Sequence, residues 1–279
     1  MLIEVNSINL YVETYGAEVS AEHTIDTDKP VLIAVPGGPG FSHTFLKPAL
    51  NPIADYFPLV YFDPRGTGKS DLRDPSCWNL EQLADDLANL ISKLGIKNPY
   101  IYAHSAGVNV SALLIKKYPS LVKGLVSANG IIVDKQTALD NWIKLGGNAA
   151  KRMMVDLDVT AVPEFMETVI PKYDPIPRPL EHAETLEANI EQCLHLIHSF
   201  LDMELLKTLE NTQTPCHFIV GKHDPLSTKE LSIPLLKKAN QPNFSWEVFE
   251  QSGHDNLLCE PSKTIEVVLD LMRKANIDA

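Results

Sequence analysis

A chain of 279 residues, 44% apolar and 22% charged, is long enough to bury a full core and too apolar to be disordered. Its net charge of −12 argues against a nucleic-acid partner, because phosphate backbones demand basic faces, and gives no electrostatic reason to sit on an anionic membrane. No run approaches the roughly 20 apolar residues of a membrane-spanning helix, and Met1 to Asn6 has neither the basic segment nor the apolar run of a secretory signal. Cys77, Cys193, Cys216 and Cys259 lie far apart with no C-x-x-C spacing. They are read as reduced thiols of a cytoplasmic protein, not as a disulfide framework or a zinc site.

Leu2 to Tyr15 alternates as two short strands with a turn near Asn6 and Ser7, and the polar stretch from Ala17 to Lys29 reads as a loop. Pro30 to Val35 and Phe57 to Phe62 are short, continuously apolar runs, the mark of strands buried on both faces. Leu83, Leu87, Leu90, Ile91 and Leu94 recur at helical spacing, and Gly95 follows as a helix stop. Further buried strands are expected at Tyr100 to Ala103, Leu121 to Ala128, Cys216 to Val220 and Phe244 to Phe249. Helices are expected at Val108 to Tyr118, Leu226 to Ala239 and Pro261 to Ala275. Strands alternating with helices in this way predict an α/β fold, with a mostly parallel sheet covered on both faces.

The alternation breaks between residues 131 and 210, where helical patterns and a proline-rich link (Pro171 to Pro179) contain no buried strand. Fourteen acids face seven bases there, so under a third of the chain carries −7 of its −12. The reading is a core of residues 1–130 and 211–279 with a helical lid inserted at 131–210. Such a lid would lie over the carboxyl edge of the sheet, where ligands bind.

Ser105 stands in Ala103-His104-Ser105-Ala106-Gly107, between an apolar strand and a helix. This is G-x-S-x-G with Ala103 in the first glycine position, the pattern that presents a serine hydroxyl on a sharp strand-to-helix turn. A serine needs a base. Of nine histidines, His254 follows the strand ending at Phe249, where a loop leaves the same edge. Asp224, after the strand ending at Val220, is the expected orienting carboxylate. Asp134 is the fallback, and Asp255 is a poorer choice because adjacent side chains point apart. The oxyanion donors expected are the amides of Ala106, at a helix start, and Gly38, in Pro36-Gly37-Gly38-Pro39-Gly40, with Gly37 as the adjacent alternative. A second loop, Asp63 to Ser70, lacks phosphate-loop spacing and is read as an Asp63–Arg65 clamp supporting the donor loop.

Pro36-Gly37-Gly38-Pro39-Gly40, Asp63-Pro64-Arg65-Gly66-Thr67-Gly68-Lys69-Ser70, the Ser105 elbow, Gly221-Lys222-His223-Asp224 and Gly253-His254 together resemble the α/β-hydrolase superfamily. The first two look most like its proline iminopeptidase branch. The resemblance implies an acylated serine at Ser105, a triad completed by Asp224 and His254, and no metal or organic cofactor. It departs at Pro36, Ala103 and Ala106, where that branch usually has histidine, glycine and tryptophan. In that branch lid glutamates hold a substrate amine. Here Glu184, Glu187 and Glu191 at helical spacing read more readily as a solvated face.

The expected function is therefore a serine hydrolase acting on a small ester, amide or related acyl substrate. A proline iminopeptidase-type aminopeptidase on short peptides is the alternative, and a hydrolase-like ligand-binding protein without turnover is the alternative of another class. Composition does not fix the oligomeric state.

Overall fold

Asn6 and Ser7 both take left-handed backbone (φ 46° and 62°), which matches the twist of a two-residue hairpin turn. They join β1 (Leu2–Val5) to β2 (Ile8–Tyr15). The computed structural model describes residues 1–72, 74–168, 170, 175 and 187–277. β2 pairs antiparallel with β4 (Leu59–Phe62). From there the sheet is parallel through β3 (Leu32–Val35), β5 (Tyr100–His104), β6 (Gly124–Ala128), β7 (Cys216–Gly221) and β8 (Phe244–Phe249). The order across the eight strands is β1-β2-β4-β3-β5-β6-β7-β8. This is the mostly parallel, doubly covered sheet that the alternation of strands and helices predicts.

Continuous apolarity in β3 to β6 has a direct cause. Side chains alternate faces along a strand, and here both faces are dry. Ile33, Val35, Val60, Ile101 and Leu125 enter one core. Leu32, Ala34, Leu59, Tyr100, Tyr102 and Val126 enter the other. The first core is roofed by α2 (Leu80–Lys93) through Leu83, Leu87, Leu90 and Ile91, and by α3 (Ala106–Lys117). The second receives α1 (Lys47–Leu50) and Val268, Leu269 and Met272 of the C-terminal helix Pro261–Ile277. Asn79 caps α2 by accepting from the Gln82 N–H at 2.8 Å.

Between β6 and β7 the chain forms α4 (Lys135–Met154), α5 (Ala161–Thr168), α6 (Ile190–Asp202) and α7 (Leu205–Thr208). Among the described residues of 131–210 the only extended pairing is an isolated bridge from Ala188 to Phe41. This region is fastened to the sheet edge by hydrogen bonds. Asn189 N–H donates to Gly40 O (2.7 Å), Ser42 N–H to Glu187 O (2.9 Å), and Trp142 Nε1–H to Leu226 O (2.9 Å). The Pro171 to Pro179 link, apart from Pro175, lies outside the described residues, as do Glu184 and Leu186. Glu187 precedes α6 and Glu191 stands in its first turn, both exposed. The helical face expected to carry Glu187 and Glu191 together therefore does not form, because the helix begins only at Ile190.

Candidate active site

Ser105 occupies the turn between β5 and α3 with φ 50° and ψ −123°. A non-glycine residue in that region costs on the order of 1–3 kcal/mol and persists only where its surroundings impose it. One such constraint is Gly107: any β-carbon there would run into the Pro36 carbonyl oxygen. The elbow and the glycine-rich loop are thus pressed together. Ala103 is fully buried in β5 between Val35 and Ser127, so the sheet accepts a methyl where the motif usually has glycine.

The parallel register brings the ends of β5, β7 and β8 to one edge, and there Ser105, Asp224 and His254 meet. His254 Nε2 lies 3.0 Å from Ser105 Oγ, and His254 Nδ1 lies 3.0 Å from Asp224 Oδ2. A carboxylate only accepts, so Nδ1 carries the proton and Nε2 is left to accept from the Ser105 hydroxyl. Asp224 is 1% exposed, and its Oδ1 also accepts from the Leu226 N–H at 2.8 Å. Each ring nitrogen of His254 is thereby committed, and the imidazole has one orientation.

Gly38, Ser105 and His254 border a cavity of about 50 Å³ whose other described walls are mainly apolar (Phe41, Phe45, Met166, Ile170 and Leu226), with His104 and Asp255 as the polar ones. Gly38 holds φ 116°, a conformation open to glycine, and this turns the loop along the cavity. Gly37 borders a separate cavity of about 30 Å³ behind the loop, together with Ala106. Ala106 is the first residue of α3, so its N–H has no acceptor within the helix. A larger open groove of about 580 Å³, lined by Asp134, Glu204 and Lys207 among others, contains none of these residues.

The remaining candidates have structural partners. Asp134 is exposed and caps α4, accepting from the Thr137 N–H at 3.0 Å. Asp255 caps the short helix Asn256–Cys259. His104 donates from Nε2 to His254 O at 3.0 Å. Burial, and then the neighbouring His254, lower its pKa to about 4. Burial pushes the Cys193 and Cys216 thiols up to about 12, which keeps both protonated at neutral pH. Among the described residues no group of three or more His, Cys, Asp and Glu side chains is placed to hold a metal ion.

The Asp63–Arg65 clamp is not formed. Arg65 instead makes a bidentate pair with Asp86 of α2 (2.7 and 2.9 Å), both side chains buried. Asp63 accepts from the His43 ring at 2.6 Å and from the His43 and Lys69 backbone N–H groups at 3.0 and 2.9 Å. His43, in a stretch of sequence that reads as a polar loop, is 1% exposed. Its sequence signal was weak, because its partner lies 20 residues away. Asn129 was also missed, and its hydrogen bonds reach the loops of both Asp224 and His254.

Comparison with known proteins agrees with this fold. Residues 30–158 match the model of the alpha/beta hydrolase fold. A protein described as a putative carbamate hydrolase, RutD, from a Caulobacter species is 32% identical over 277 residues, covering 94% of this chain and 95% of that one. Two solved structures share the fold. The proline iminopeptidase of Mycobacterium smegmatis has a TM-score of 0.77 at 16% identity, covering 100% of this chain and 99% of that one. The esterase EaEST of Exiguobacterium antarcticum has a TM-score of 0.74 at 17% identity, covering 96% and 97%.

Proposed function

This chain belongs to the alpha/beta hydrolase fold family, and on that premise we propose that it is a serine hydrolase that forms an acyl-enzyme at Ser105. The observation that carries the reading is His254 held 3.0 Å from both the Ser105 hydroxyl and the Asp224 carboxylate. As Ser105 Oγ bonds to the substrate carbonyl carbon, its proton passes to His254 Nε2 and the carbonyl π pair moves onto oxygen. The N–H groups of Gly38 and Ala106 receive that oxyanion, and Asp224 stabilises the imidazolium. Collapse expels the leaving group, which takes the proton from His254. Water then attacks the acyl-enzyme with His254 as base, releasing the acid and restoring the Ser105 hydroxyl.

The small, mainly apolar cavity suits a short uncharged acyl group, so the substrate class is a small ester, amide or carbamate. The Caulobacter relative's description brings in the carbamate. An aminopeptidase would need a carboxylate beside the cavity for the substrate amine. Glu187 and Glu191 are exposed, and Asp255, which does border the cavity, is engaged in capping the helix Asn256–Cys259, so the ester and carbamate reading is preferred. The test is labelling by a fluorophosphonate at neutral pH. Wild type is expected to label at Ser105 and Ser105→Ala is not. A folded wild type that stays unlabelled overturns the hydrolase mechanism in favour of a binding protein.

A further inference from the structure

The loops that carry Asp224 and His254 leave adjacent strands and stay paired at their bases, where Lys222 N–H donates to Phe249 O and His223 N–H to Ser252 O, both at 2.9 Å. Beyond that pairing one buried side chain adds a second tie between them. Asn129 follows β6, is 2% exposed, and holds left-handed backbone at φ 52°. Its Oδ1 accepts from the Gly221 N–H at 2.9 Å, at the end of β7 and three residues before Asp224. Its Nδ2 donates to His254 O at 2.5 Å, with Gly253 O at 3.3 Å and Asn256 Oδ1 at 3.4 Å. The same His254 carbonyl accepts from His104 Nε2–H, the residue before Ser105, at 3.0 Å.

We propose that Asn129 is a positioning residue of the catalytic triad: its amide clamps the Asp224 loop to the His254 loop, and His104 ties the His254 backbone to the serine elbow. The inference rests on the triad reading above. Neither side chain touches Ser105 Oγ or the His254 ring nitrogens through these bonds. Their effect is on where the imidazole stands. Displacement of a catalytic group by about 1 Å costs about 100-fold in rate, and these contacts hold the His254 main chain while its ring exchanges protons. Burial also keeps His104 neutral beside the imidazolium that forms on His254.

Two variants isolate the clamp. Asn129→Gly keeps the left-handed backbone and removes both arms. Asn129→Asp keeps the acceptor for Gly221 N–H but sets a carboxylate oxygen against the His254 and Gly253 carbonyls. With p-nitrophenyl acetate, Asn129→Gly is expected to lose about 10-fold or more in kcat with KM within about two-fold, and Asn129→Asp more. The rate of fluorophosphonate labelling at Ser105 should fall in parallel, with thermal unfolding confirming that each variant is folded. Wild-type kcat and labelling rate in folded Asn129→Gly would overturn the clamp and leave the triad reading intact. An unlabelled wild type would overturn the triad reading and the clamp with it.

Discussion

Among the described residues two buried histidine–aspartate pairs are found, and one of them faces a serine and a cavity. His43 and Asp63 approach to 2.6 Å, closer than the 3.0 Å between His254 and Asp224, and His43 and Asp63 are each 1% exposed. The second ring nitrogen of His43 faces Glu13 Oε1 at 3.5 Å, and its ring packs against Tyr11 and Tyr61 with centroids 5.9 and 5.7 Å away. The second ring nitrogen of His254 faces the Ser105 hydroxyl. The tighter pair is thus walled in by β2 and β4, while the looser pair has the Ser105 hydroxyl at its open end. Bond length and burial do not distinguish a site from a strut. What lies on the far side of the imidazole does.

That contrast breaks cleanly under mutation. His254→Ala is expected to lower kcat by at least about 10³-fold while the protein stays folded. His43→Ala is expected to keep the turnover of the folded protein within a few-fold. It should instead lose about 3–5 kcal/mol of stability in urea unfolding, because Asp63 is left buried without its ring partner. A large kcat loss in His43→Ala at unchanged stability would show that the two pairs are not separable in this way.

The fold was legible because burial on both faces writes itself into short apolar runs such as Leu32–Val35, and amphipathic spacing marks Leu80–Lys93. The candidate site was legible to the extent that chain order placed Ser105, Asp224 and His254 each just after a strand, and the structure brings their side chains to hydrogen-bond distance. Pairings between distant loops left little local trace. Adjacency points Arg65 to Asp63, whereas its partner Asp86 is 21 residues away on α2, at a helical position that spacing alone marks as ordinary. Asn129 is silent in the sequence for the same reason: nothing in its own neighbourhood announces contacts with residues 92 and 125 positions on.

The supporting ion pair gives a second, purely structural contrast. Asp86→Ala strands the Arg65 guanidinium in the interior and is expected to cost about 3–5 kcal/mol in chemical unfolding. An unchanged midpoint would mean that solvent reaches Arg65 after all.

The smallest expected effect lies with His104. The unfolded chain takes up this proton near 6.5 and the folded protein only near 4. His104 therefore leaves stability untouched above pH 6.5 and erodes it as pH falls from 6.5 toward 4, by on the order of 3 kcal/mol at most. Urea midpoints of His104→Gln should fall less steeply across that window than those of wild type. Parallel midpoints would show that His104 is protonated at the same pH in both states.

The central claim is that the open end of the His254–Asp224 pair activates Ser105. Its most direct measurement is rapid mixing with p-nitrophenyl acetate, acid quenching, and peptide mass spectrometry of the trapped enzyme. The account predicts an acetyl group on Ser105 in wild type and none in Ser105→Ala. Steady turnover with no adduct on Ser105, or turnover retained in Ser105→Ala, would contradict it.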